Sequence, residues 1–85
     1  MEYFVYILHS SSSDKYYVGS SVNPHRRLVF HNSIEIGFTS RFRPWKLLFT
    51  KVFENKLQAQ LAERKIKSWK SRKMIVKLLN GEINI

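Results

Sequence analysis

The chain has no cysteine, two prolines, three glycines and only six acidic side chains among its 85 residues. Without cysteine there is no disulfide scaffold, no thiolate zinc site and no cysteine nucleophile. Three scattered glycines form no phosphate-cradling loop. His9, His25 and His31 lack metalloprotease spacing. Glu63 has no acidic neighbour in sequence, which argues against the carboxylate pair of a glycosidase. The longest apolar run, Tyr3 to Leu8, is far short of the ~20 residues that span a bilayer, and nothing resembles a signal peptide. The expectation is a cytoplasmic protein, free or nucleoid-associated, with no membrane partner.

Positive charge is what the chain has in excess. Fifteen Lys and Arg against six Asp and Glu give a formal charge of +9. Such an imbalance attracts polyanions, nucleic acid first, the blander reading being a basic surface or structural protein. At 44% hydrophobic and 14% aromatic the chain supports one modest core, and its length supports one domain, residues 1–85.

The pattern predicts an α+β fold, with a small, mostly antiparallel three-stranded sheet flanked by helices. Tyr3 to Leu8 reads as a strand buried on both faces. With Lys15 to Ser20 it should form a hairpin, strands 2–8 and 15–20, across a serine-rich turn. Centring that turn on Ser11-Ser12 puts Tyr6 opposite Tyr17, their hydroxyls on one side of the sheet. Asn23-Pro24 marks a helix start, giving a helix over about 23–32 on which Arg27 and His31 share a face. Residues 33–43 read as a loop, Trp45 to Phe53 as a third strand, and Asn55 and Ser71 as caps of helices over about 55–69 and 72–79. On the second helix, Leu57, Leu61, Ala62, Ile66 and Trp69 fall within an arc of roughly 180°, with Glu63 at its border. Around Glu63 crowd Arg64, Lys65, Lys67, Lys70, Arg72 and Lys73.

Taken singly, each polar residue has a plain explanation. The tyrosines are sheet aromatics, Arg27 a solvated helix residue, and Glu63 the front half of a helical ion pair with Lys67. Their order and spacing are another matter. Phe4-Val5-Tyr6, a hairpin, Tyr17-Val18-Gly19, then Arg27 ten positions after Tyr17 and His31 four beyond that, resemble the GIY-YIG nuclease family. Glu63 matches that family's metal-binding glutamate. The stretches Phe38 to Arg41, Arg43 to Leu47 and Glu63 to Lys73 resemble its small single-domain bacterial branch, and the whole resembles the N-terminal catalytic domain of the excision-repair nuclease. The chain departs from the pattern in lacking the glycine of the first motif, and only Asn80 offers itself for the family's late asparagine.

The resemblance implies a metal-dependent endonuclease acting on DNA, RNA not excluded, and linked to repair or recombination. Tyr6, Tyr17, Arg27, His31 and Glu63 would form the catalytic set and Gly19 a structural part of the motif. Glu63 would hold one Mg²⁺ or Mn²⁺. Either tyrosine serves as general base, Tyr6 being preferred. That role needs a pKa well below the usual ~10, for which the nearby cations and the metal are expected to provide the pull. Lys15, Arg26, Arg41, Arg43, Lys46, Arg64, Lys67, Lys70, Arg72 and Lys73 would contact the nucleic acid, so target choice falls to substrate shape or a targeting protein. The alternative is a nucleic-acid-binding module that kept the fold, cleaves weakly if at all, and assists another nuclease or the ribosome.

Overall fold

Tyr3–Ser10 forms the middle strand, β1, of the sheet. In the computed structural model, which describes residues 1–85, it pairs antiparallel with β2 (Lys15–Ser21) on one side and β3 (Trp45–Phe53) on the other. A strand flanked twice and covered on both faces needs unbroken apolar sequence, and Val5, Tyr6, Ile7 and Leu8 are all buried. Three helices complete an α+β fold: α1 (Pro24–Ser33), α2 (Lys56–Ser68) and α3 (Arg72–Leu79). Each begins where a short polar side chain satisfies a free amide. Asn23 accepts from the amide of Arg26, Asn55 from that of Gln58, and Ser71 from that of Met74. No helix is long and apolar enough to cross a membrane.

The sheet separates two apolar clusters. Val5, Ile7 and Val18 point to one face, against Ala59, Ala62 and Ile66 of α2 and Leu78 of α3. Tyr6, Leu8 and Trp45 point to the other, with Leu28 of α1 packed beside them.

Three expectations need correction. The hairpin turns one residue later, which moves every cross-strand partner by two, so Tyr6 lies opposite Gly19, and Tyr17 opposite Leu8. Because strand faces alternate with a period of two, this even shift leaves both tyrosines on one face, as diagonal neighbours with ring centroids 6.4 Å apart. On α2, Leu57 and Leu61 are exposed, and the buried line is Ala59, Ala62 and Ile66. Small alanines let the helix lie close on the sheet, so its inner face is turned roughly 80° from the arc the leucines suggested. Glu63 therefore falls within the sheet-facing half. Residues 33–43 are not all loop, since Phe38–Phe42 wind into a 3₁₀ turn that buries Thr39.

Candidate active site

A chain of hydrogen bonds starts at the Tyr6 hydroxyl, which is buried on the α1 face of the sheet. It stands 2.9 Å from Nε2 of His31, a fully buried imidazole near the end of α1. The other ring nitrogen, Nδ1, lies 3.0 Å from the Thr39 hydroxyl in the 3₁₀ turn. The Thr39 carbonyl accepts from the indole of Trp45 at 2.8 Å, and the Asn32 side chain clasps the backbone N–H and C=O of that same residue. Arg43 donates to the carbonyls of His31 and Glu35 and holds the end of α1 in place. One tyrosine is thus aligned by a helix, a turn and the start of a strand.

The two bonded groups have pKa values moved in opposite directions. Burial pushes the Tyr6 phenol up to about 12, with Arg27 beside it pulling the other way, and Tyr17 and Glu63 adding to the rise. The cationic surroundings therefore fail to lower this tyrosine as the sequence reading expected, because desolvation of a phenolate outweighs them. Burial also lowers the His31 pKa, helped by the charges of Arg27 and Arg43 and opposed by Glu35. The imidazole is then neutral near pH 7, so that one nitrogen accepts while the other donates.

Glu63 arrives from the opposite face, on α2, at the free edge of β2. One carboxylate oxygen accepts from the Ser20 hydroxyl and the other from the Lys67 ammonium, both at 2.6 Å. Gly19, next to Ser20, lets Tyr6 extend toward that edge. A Cβ at Gly19 would stand 2.6 Å from Cζ and Oη of Tyr6. Tyr17 completes the cluster, its ring centroid 4.7 Å from that of His31. Arg27, its guanidinium 4.2 Å above the Phe30 ring, stands close enough to bear on both Tyr6 and His31. All five residues singled out in the sequence converge at the Gly19–Ser20 edge. Asn80 instead ends α3 and turns its amide to Glu82.

Sequence reasoning missed Thr39, Ser20 and Asn32, whose partners lie 8, 43 and 13 positions away. Only Thr39 carried any signal, as part of the Phe38 to Arg41 stretch. Of the basic residues proposed for nucleic acid, Lys15, Arg26, Arg41, Lys46, Arg64, Lys70 and Lys73 are exposed. Lys67 is paired with Glu63, and Arg72 with Asp14, while Arg43 is half-buried and engaged with the two carbonyls.

No group of three or more His, Cys, Asp or Glu side chains could enclose a metal ion. A single carboxylate does suit a hard divalent cation that keeps most of its water shell. At present the Lys67 ammonium provides the positive charge on that carboxylate.

A family model described as the GIY-YIG catalytic domain matches residues 2–77. Among curated proteins, none matches the chain significantly. One similar solved structure is the solution NMR structure of a UPF0213 protein from Bacillus halodurans, 30% identical, with a TM-score of 0.60. The alignment covers 94% of this chain and 84% of that one.

Proposed function

The chain belongs to the GIY-YIG family, and on that premise we propose that it is a metal-dependent endonuclease hydrolysing DNA phosphodiester bonds, with residues 1–85 acting as one catalytic domain. The family is one of nucleases, which makes nucleic acid the substrate class. A role in repair or recombination is part of the proposal and rests on family analogy alone.

The observation that carries the mechanism is the 2.9 Å contact between Tyr6 and His31. A phenol with a pKa of about 12 is a poor free base but a good relay. With Nδ1–H donated to Thr39, the neutral imidazole accepts the Tyr6 proton at Nε2 as Tyr6 takes one from the attacking water. His31 is thus the ultimate proton acceptor. Arg27, always charged and planar, grips a non-bridging phosphate oxygen, and Tyr17 orients water and phosphate. Glu63, with water molecules, would hold one Mg²⁺ or Mn²⁺. When bound, such an ion supplies the positive charge that stabilises the scissile phosphate and leaving oxygen. GIY-YIG nucleases generally depend on divalent metal, in keeping with that donor set.

The test is nicking of supercoiled plasmid with Mg²⁺, with Mn²⁺ and with EDTA, beside Glu63→Gln. Wild type is expected to cleave only with metal, and the variant about 10²–10³-fold more slowly. Equal cleavage by both proteins would remove Glu63 from the mechanism. The Glu63–Lys67 pair favours a second reading, in which the carboxylate is already neutralised and the protein binds without cutting. Binding by both proteins without cleavage by either would select it.

A further inference from the structure

β2 is an edge strand, and a groove of about 470 Å³ runs along its free side. That volume falls in the ~300–1,000 Å³ range of small-ligand sites. Tyr17 and Phe38 line it from the α1 side, and Lys67, Lys70 and Arg72 from the bend between α2 and α3. Lys15 contributes a further cation. Lys67 also bonds Glu63, and Tyr17 belongs to the candidate active site, so the groove adjoins that site.

The lining is an unusual mixture. Phe38 is half-exposed, with its ring within 25° of the Tyr17 plane and the two centroids 6.5 Å apart. Phe38 offers its ring to solvent with the half-buried Tyr17 beside it, in a groove whose charged residues are mostly cations. The one acid there, Asp14, is tied to His9 and Arg72, which hold its carboxyl below the usual range. Lys70 sits at φ 46°, a left-handed conformation that glycine would adopt without strain. The bend thus presents a cation at its tip, and that cation pairs with no carboxylate.

Duplex DNA offers phosphates to cations but keeps its base faces stacked on one another, so an exposed phenyl ring in a cationic groove has no partner there. An unpaired nucleotide supplies both a phosphate and a free π-face. We propose that this groove receives an unpaired nucleotide of a DNA strand, its base stacked on Phe38 and Tyr17 and its phosphate among Lys15, Lys70 and Arg72. The substrate at the cut is then single-stranded or locally unpaired DNA. The inference rests on the endonuclease reading above and narrows its substrate class.

Fluorescence anisotropy of a short labelled oligonucleotide, single-stranded or as a blunt duplex, tests it with the Glu63→Gln protein in EDTA. Single strand is expected to bind more tightly than duplex. Adding Phe38→Ala should weaken single-strand binding about five- to a hundred-fold and duplex binding less than about twofold. Phe38→Trp should restore the single-strand affinity, and circular dichroism establishes that each variant is folded. Equal losses on both ligands, no loss on either, or tighter duplex binding would overturn the groove assignment. Plasmid nicking by wild type is scored separately. Nicking without a Phe38 effect defeats the groove alone, whereas strand preference without nicking defeats the nuclease reading and leaves the groove standing.

Discussion

Gly19 carries a constraint that arises from crowding, with no demand for an unusual backbone angle. Its missing side chain leaves the space in which the Tyr6 ring crosses β2. Gly19→Ala should force that ring aside, at a cost of about 1–3 kcal/mol in a urea melt and about 10²-fold in cleavage rate. Full activity in this variant would mean that Tyr6 need not be held against His31. The opposed pKa shifts of that pair give a second test, read from thermal melts across pH. Folding lowers the His31 pKa, so its contribution is complete above about 6.5 and is lost as acid protonates the unfolded chain first. Folding raises the Tyr6 pKa from 10.0 to about 12, so its contribution is present below 10 and falls by up to about 3 kcal/mol as pH rises through 12. His31→Asn should flatten the acid limb of the stability curve relative to wild type, and Tyr6→Phe the alkaline limb. Unchanged limbs would mean that these groups titrate alike in both states.

At the scale of the element, α2 is the instructive case. Its leucines drew the helical arc in the sequence reading, yet Leu57 and Leu61 face solvent and Ala59 is fully buried. Hydropathy registers side-chain size, whereas helix-on-sheet contact rewards close approach, so the alanines hold the position that sets Glu63 beside Ser20. Leu61→Lys should change stability by less than about 0.5 kcal/mol. Ala59→Leu should cost about 1–3 kcal/mol and, by lifting the helix, reduce cleavage as well. A large penalty for Leu61→Lys in a denaturant melt would contradict the orientation described. The strands follow the same logic in reverse. The hairpin register was misplaced by two, but alternation protects facing from an even error, which is why the tyrosine pair survived it.

Across the whole molecule, what was legible in advance was local. The limits of β3 and α3, and the caps Asn23, Asn55 and Ser71, follow from neighbours a few positions away. The five clustered residues were legible through family resemblance, and no local rule would have assembled them. What stayed hidden was long-range and polar. Thr39 under His31, Ser20 on Glu63 and Asn32 on Trp45 are side chains whose partners only the fold brings near. The altered acidity of Tyr6 was also hidden, since it depends on burial more than on adjacent charge.

The bond from Ser20 to Glu63 closes a span of 43 positions, and it has a consequence for the protein's own synthesis. The first 33 residues of the chain carry only three of its fifteen Lys and Arg, so most of the positive charge is added later in synthesis. The chain's β1, β2 and α1 can assemble early from nearby segments, but the carboxylate joins them only when α2 has left the ribosome and docked. On the proposed function, the site lacks its metal-holding carboxylate until that moment, and chemistry begins only with completed folding.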